Sequence, residues 1–380
     1  MTDIEILHQI DWDFAEATTN SATNAIHPYP AKFIPQIPHH FIQQLSTEGD
    51  TVYDPFLGSG TTAVEANILG RNAIGNDVNE LAVLISKVKT TPISSKKLLS
   101  LDSLLNKIYN HIDSFYSGKK NGIMKPNITN LDLWFEEFVI NELVIIKEEI
   151  ENLKDNDLID FCLVALSGII INVSRQDSDT RYVRVPKNIT YFDTYYKFFK
   201  QLNKLRKIMN VSSKLLERGK SVFKVADTRT ENIFEENSAD FAVTSPPYPN
   251  AYDYHLYHKY RLFWLGMNPH HLRKVEIGAH ADYSKKNGPD EFDFMGDMEK
   301  CLLNTSKILK PGSYFVLVIG DSILKGRKIK NNEILKLAAE NTTFIFVAEF
   351  TRNLKLTKKS FNPKIGNIKT EKIIIFENLK

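Results

Sequence analysis

The spacing of apolar and polar positions divides the chain into three stretches. In the first, a short apolar run at 51–56 reads as a buried strand that ends in Asp54-Pro55-Phe56. A glycine turn at 58–60 follows, and a helix is expected from Thr61 to about Leu69. Asn72 to Gly75 reads as a second strand ending at Asn76-Asp77, and Glu80 to about Lys89 as a second helix. Upstream, Ile34, Ile37, Phe41, Ile42 and Leu45 recur at helical spacing, whereas residues 1–26 are polar and read as a loosely held arm. Strand–helix–strand–helix order is the signature of a parallel α/β sheet.

From about Lys96 to Lys220 the period becomes helical. Amphipathic stretches are expected at Leu131 to Leu153, Leu158 to Val173 and Tyr191 to Met209, with a polar break from Ser174 to Arg181. Strand-like segments resume at Val222 to Ala226, Phe241 to Thr244, Tyr314 to Ile319, Thr343 to Phe350 and Lys372 to Phe376. The expected architecture is α/β, with a mostly parallel twisted sheet and a large helical insertion. Residues 1–94 would form the N-terminal arm and one half of the main domain, 95–220 the insertion, and 221–380 the other half.

Composition narrows this picture only modestly. The chain has 380 residues, of which 42% are hydrophobic, 25% are charged, and the formal net charge is +2. Bulk charge therefore does not mark a nucleic-acid binder, and phosphate contacts would need clustered cations. Cys162 and Cys301 lie in apolar contexts without a Cys-x-x-Cys pair, so a structural metal site is not expected. Met1 to Phe14 lacks the basic start of a signal peptide, and no apolar run approaches the roughly 20 residues of a membrane span. A cytoplasmic location is the expectation.

Two segments carry candidate chemistry. The first is Asp54-Pro55-Phe56-Leu57-Gly58-Ser59-Gly60-Thr61-Thr62, at a strand-to-helix junction. Glycines there let the backbone turn tightly and approach a ligand, and the helix start offers free N–H groups. The alternative is a β–α turn with nothing bound. Position 63 is Ala63, so the dinucleotide fingerprint is incomplete, and this turn lacks the Gly-Lys-Ser/Thr of a P-loop. Asp77, after the second strand, stands where an acid accepts from ribose hydroxyls, or else simply caps a helix. The second segment is Thr244-Ser245-Pro246-Pro247-Tyr248. Its prolines enforce an extended backbone that can offer carbonyls to an amino group, and Tyr248 supplies a flat face for a base. A surface turn or polyproline ligand is the alternative.

Together these segments resemble the S-adenosylmethionine-dependent DNA amino-methyltransferases that modify adenine N6 or cytosine N4. The resemblance implies a Rossmann-like methyltransferase fold with S-adenosylmethionine at the Asp-Pro-Phe-x-Gly-Ser-Gly turn. It implies that Ser245, Pro246, Pro247 and Tyr248 hold the target base, and that Asp77 meets the ribose. Asp54, Pro55, Phe56, Gly58, Gly60, Thr61 and Thr62 belong to the cofactor turn. His27-Pro28-Tyr29-Pro30-Ala31-Lys32-Phe33 is similar to an element that packs on the cofactor, which adds Tyr29, Lys32 and Phe33. Asp227 matches the acid that meets the adenine edge. Thr-Ser-Pro-Pro-Tyr resembles the cytosine-N4 branch of restriction–modification enzymes. Base flipping, double-stranded DNA and a cognate restriction endonuclease acting on the same site are therefore implied. The matches cover residues 25–92 and 222–378, but not 95–220, and the cofactor motif precedes the base motif, the reverse of many cytosine-N4 enzymes. Methylation at cytosine C5 is excluded, because neither cysteine follows a proline.

Cations cluster in two places. One contains Lys197, Lys200, Lys204, Arg206, Lys207, Lys214, Arg218, Lys220 and Lys224. The other contains Lys325, Arg327, Lys328 and Lys330, then Arg352, Lys355, Lys358 and Lys359. Either could be a solvated face. The second follows strands of the α/β domain, which favours a phosphate-facing role for Lys325, Arg327, Lys328 and Arg352. In the insertion, Arg181 and Arg184 are candidates for reaching DNA or for salt bridges. The aromatics from Tyr252 to Tyr260 either line a base pocket or pack a helix. An RNA base methyltransferase is the runner-up reading, and a non-catalytic nucleic-acid-binding module is the third.

Overall fold

The computed structural model describes residues 3–18, 20–119, 122–354 and 369–380. Its seven-stranded sheet consists of β1 (Thr51–Asp54), β2 (Asn72–Asp77), β3 (Ser221–Val225), β4 (Phe241–Thr244), β5 (Tyr314–Gly320), β6 (Phe344–Asn353) and β7 (Thr370–Asn378). They lie in the order β6-β7-β5-β4-β1-β2-β3. Neighbours from β5 to β3 are parallel, and β7 inserts antiparallel between β5 and β6. The expected mostly parallel α/β fold is therefore borne out. The strand order reverses between β1 and β4, where Val52 pairs with Phe241 and Tyr53 with Ala242. Crevices at the carboxyl ends of strands form at such a reversal.

Alternation along the central strands builds two cores. Val52, Phe241, Val243, Val316 and Val318 pack on one face with Ile37, Phe41 and Ile42 of α1 (Gln36–Leu45) and with Ala63 and Ala66 of α2 (Thr61–Ile68). Tyr53, Ala242, Phe315, Leu317 and Ile319 face the other way. There they meet Phe294, Met298 and Leu302 of α8 (Glu291–Ile308) and Leu335 and Ala338 of α9 (Asn331–Ala339).

A third core is helical. Leu81, Ile85 and Val88 of α3 (Glu80–Thr90) join α4 (Ser95–Tyr116), α5 (Glu137–Glu151), α6 (Asn156–Val173) and α7 (Asp193–Leu216). Tyr260, Leu262 and Trp264 complete this core, so the helical layer draws on both flanking halves of the chain. By length and composition α6 is apolar enough to cross a membrane. Its Phe161, Cys162, Ala165, Leu166 and Ile170 are instead the fully buried centre of this layer. Cys162 and Cys301 are both buried and free, as expected.

Three expectations change. The 1–26 stretch is not a loose arm: Leu7 and Trp12 are buried, and Trp12 stacks on Phe41 with ring centroids 4.5 Å apart. Four apolar side chains spread over a short polar segment (Leu7, Ile10, Trp12 and Phe14) carry no periodicity, yet suffice to anchor it. The stretch Leu131 to Leu153 is broken at Phe135, where the backbone is extended between Leu131–Trp134 and α5. The polar break after α6 is a hairpin, Gln176–Ser178 with Arg181–Arg184.

Candidate active site

The two motif segments leave adjacent strands and are bonded to each other. Asp54, at the end of β1, is buried and accepts from the Thr244 hydroxyl at 2.6 Å and from the Phe56 N–H at 3.1 Å. Burial pushes its carboxyl up to about 6. Thr62, at the start of α2, donates to the Val243 carbonyl at 3.3 Å. Asp54, Thr62 and Thr244 thus form an internal brace that fixes the cofactor turn to the base motif. The Pro55 carbonyl is tied down by Thr228 and by Asn76, whose side chain also reaches the Thr228 hydroxyl at 2.9 Å. Phe56 is half-buried against the α8 face of the sheet.

Asp77 faces the turn from β2. Its carboxylate accepts from the Gly58 N–H at 2.8 Å and the Asn79 N–H at 2.8 Å, and remains only half-buried. Burial of its surroundings pushes it up to about 6, against the pull of those two N–H groups. Two oxygens holding one N–H each retain lone pairs for further donors. The side of Gly58 is open: a Cβ there would meet nothing nearer than Phe56 O at 3.8 Å and Tyr29 Cε1 at 3.9 Å. The neighbouring Thr61 hydroxyl is buried and has no partner among the described residues. An unfilled acceptor, an open glycine and an orphan hydroxyl around one turn fit a nucleoside-bearing cofactor.

Gly60 differs. Both glycines have a positive φ, +48° at Gly58 and +73° at Gly60, but a Cβ on Gly60 would fall 2.5 Å from Ser86 Oγ on α3. Gly60 is therefore required for the packing of α2 against α3.

Of the 27–33 segment, Tyr29 lies beside this turn, its Cε1 3.9 Å from where a Gly58 Cβ would be. Its hydroxyl accepts from Asn79 Nδ2 at 3.3 Å, and its ring lies 5.7 Å from that of Tyr254. Lys32 donates to the Asn24 carbonyl, and burial holds its ammonium down at about 8. Phe33 packs against the α1 face of the sheet. Under the turn, Lys89 is wholly buried and donates to the Ser59 carbonyl at 2.6 Å. Asp227, expected at the adenine edge, has its carboxylate held by Arg229, whose guanidinium donates at 2.6, 3.0 and 3.1 Å and continues to Asp297 at 3.0 Å. A cavity of about 460 Å³ opens beside this pair, bordered by Glu276, Gly278, Asp282, Asp293 and Asp297, and Gly278 packs so closely on the base motif that a Cβ there would fall 2.9 Å from the Tyr248 carbonyl oxygen.

At the base motif, Ser245 Oγ donates to the Val318 carbonyl at 3.2 Å. Its single proton is thus engaged, and its oxygen is left as an acceptor. The Tyr248 hydroxyl donates to Glu371 at 3.0 Å, and Glu371 is held by Arg352 at 2.6 Å. Pro246 is buried, while Pro247 remains half-exposed. Glu371 and Val318 were not singled out by sequence reasoning; they come from β7 and β5, and no local pattern joins them to Ser245. The aromatic run divides as well. Tyr257, Tyr260 and Trp264 are buried, whereas Tyr252 and Tyr254, 5.7 Å apart, continue the wall that starts at Tyr29.

The candidate phosphate contacts separate in the same way. Arg352 is mostly buried by its pair with Glu371. Arg327 is exposed but bonded to Glu291 at 2.8 Å, Lys328 to Asp321 at 2.8 Å, and Lys325 to the Gly288 carbonyl at 2.9 Å. Lys355, Lys358 and Lys359 lie outside the described residues. Arg181 is exposed, 3.6 Å from Asp177, and Arg184 is exposed on the same hairpin.

Residues 5–88 match the family model described as DNA methylase, of the N6/N4 group. The chain is 26% identical to the Type II methyltransferase M.MvaI of Kocuria varians, over 93% of this chain and 90% of that one. It is 24% identical to the Type II methyltransferase M.MjaII of Methanocaldococcus jannaschii, over 95% and 83%. A solved SAM-dependent methyltransferase from Methanosarcina mazei aligns over 93% of this chain and 99% of its own, with 13% identity and a TM-score of 0.35. The resemblance read from the two motifs is borne out.

Proposed function

We propose that this relative of the N6/N4 DNA amino-methylases is a Type II DNA methyltransferase that uses S-adenosylmethionine, and that its target atom is cytosine N4. The observation that carries the reading is the brace between the two motifs: Asp54 bonds Thr244, next to Ser245, so cofactor turn and base motif are one rigid unit. S-adenosylmethionine supplies a sulfonium-bound methyl group that is electrophilic without further activation. Asp77 would accept from the ribose hydroxyls, while Tyr29 and Tyr254 wall the cofactor crevice.

An exocyclic amino nitrogen is a weak nucleophile because its lone pair is delocalised into the ring. The Ser245 oxygen and the carbonyl of Pro246 would accept its two N–H bonds and favour a pyramidal nitrogen with its lone pair toward the methyl group. Ser245 is neither a covalent nucleophile nor a strong base, and the proton leaves after transfer. Positioning of this kind supplies roughly 7–11 kcal/mol. The base must leave the duplex to reach Ser245, and stacking on Tyr248 would return roughly 1–3 kcal/mol.

The preference for cytosine rests on the Thr-Ser-Pro-Pro-Tyr form of the motif, since an acceptor at Ser245 suits adenine N6 equally. A cognate endonuclease is the proposed partner in a restriction–modification pair. The reading is tested by incubating the protein with methyl-labelled cofactor and either duplex DNA or RNA of matched sequence. Label in DNA alone is expected; label confined to RNA would replace the reading with an RNA base methyltransferase, and label in neither would sink it.

A further inference from the structure

The two basic regions reverse their sequence-level ranking once carboxylate partners are known. In the region after β5, Arg327, Lys328 and Arg352 each pair with an acid. On α7 the inward-turned Arg206 is likewise paired, with Asp102 at 2.7 Å. The outward row Lys200, Lys204 and Lys207 is not: among the described residues these three exposed lysines form no ion pair. Asp193, the acid at the start of the helix, is engaged by the Thr190 N–H at 2.7 Å and hydroxyl at 3.0 Å. Positions i, i+4 and i+7 lie on one helix face and span about 10 Å.

That row borders a groove of about 460 Å³ lined by Phe199, Lys200, Asn203, Lys204, Lys207 and Ile208. At one end it approaches the cofactor side, since Lys204 is close enough to help depress Lys32, five residues before Ile37 of α1. Gln201 of α7 also donates to the Ile26 carbonyl at 3.4 Å, beside the segment that carries Tyr29. At the other end, Lys197 acts on Lys187, just beyond the hairpin strand that ends at Arg184. Lysines gathered on one helix face are a local excess of positive potential within a chain of net charge +2.

We propose that this stripe, from the 176–184 hairpin along α7 to the groove at Lys200, Lys204 and Lys207, is a docking surface for the phosphate backbone of the substrate DNA duplex. The proposal rests on the DNA-methyltransferase reading and adds where the duplex is gripped away from the reacting base. Unpaired ammonium groups give up no ion pair when they meet phosphate, whereas Arg327 and Lys328 must first release an acid. The stripe thereby adds affinity and orientation without base readout.

The test is the salt dependence of binding to a mixed-sequence DNA duplex by the full chain and by the K200Q/K204Q/K207Q variant. A K96Q/K107Q/K154Q variant, with the same charge change on other exposed lysines, is the control. Each lost phosphate contact should lower the slope of log affinity against log salt by about 0.9, so the first triple variant should lose about 2–3. Its duplex affinity should fall at least about tenfold at low salt, with KM for DNA raised, kcat little changed and cofactor affinity intact. The control should keep the wild-type slope. Equal losses in both triples, or an unchanged slope in the first, would overturn the docking surface even if the protein methylates DNA. A slope that falls as stated in a protein that transfers no methyl group would retain the surface and reject the reaction.

Discussion

The cofactor end and the base end of the crevice are built differently. At the cofactor end, Asp54, Gly58, Gly60 and Asp77 lie within 24 residues and are joined by one β–α turn and the strand beside it. At the base end, Ser245 and Tyr248 depend on Val318 and Glu371, which are 73 and 123 residues away. The first is a local structure that its own backbone geometry specifies. The second exists only when β4, β5 and β7 are assembled. Substitutions at the base end should therefore act on turnover, and those at the cofactor end on affinity or on folding.

The largest effect is expected from Ser245→Ala. The lost acceptor matters most as the nitrogen pyramidalises, so kcat should fall on the order of a hundredfold, as when one preorganised polar partner is removed from a reacting centre. Cofactor affinity by calorimetry should be unchanged, and a parallel loss of both would merge the two ends into one. Next comes Asp77→Ala, which removes a charged acceptor worth roughly 1.5–3 kcal/mol and should weaken cofactor binding about ten- to a hundredfold. Retained affinity with lost turnover would move Asp77 out of the cofactor site.

The Asp77 carboxyl, pushed up to about 6, gives this prediction a pH dependence. The ionised form is the acceptor, so cofactor affinity should be level above that value and fall as pH drops through it. For stability the sign is opposite. A carboxyl raised above its unfolded value of 3.8 disfavours the folded state once ionised, so this contribution is lost as pH falls below about 6. Asp77→Asn should flatten both profiles in a titration followed by calorimetry and thermal melting.

Smaller effects separate the two glycines. Gly60→Ala places a Cβ 2.5 Å from Ser86 at a φ of +73° and should destabilise the fold by about 1–3 kcal/mol, seen as a lower melting temperature. Gly58→Ala bears the strain of a φ of +48° but no clash, so it should melt between Gly60→Ala and wild type and lose cofactor affinity as well. The reverse pattern would exchange their roles. Glu371→Gln keeps a hydrogen-bonding partner for Tyr248 but loses the ion pair with Arg352. A drop in kcat below about tenfold is expected, with cofactor affinity intact.

The same contrast explains what the sequence made legible. The succession of strands and helices, the turn at Asp54 and the strand entering Ser245 follow from apolar runs and contiguous motifs. The buried Trp12 did not, because it is fixed by Phe41 rather than by neighbours in a period. Asp227 was legible as an acid at a strand end, but its clamp depends on Arg229 turning back toward it and on to Asp297. The basic regions were legible as counts of charge. Which of them is free depended on where Glu291, Asp321 and Glu371 fall in space.

The atom that receives the methyl group separates a cytosine-N4 enzyme from an adenine-N6 enzyme. Duplex DNA of mixed sequence, methylated with labelled S-adenosylmethionine, should be digested to nucleosides and the label identified by chromatography and mass. The label should appear as N4-methylcytosine and should be lost with Ser245→Ala. Label in N6-methyladenine, with none in cytosine, would contradict the assignment while leaving the fold and the brace between Asp54 and Thr244 in place.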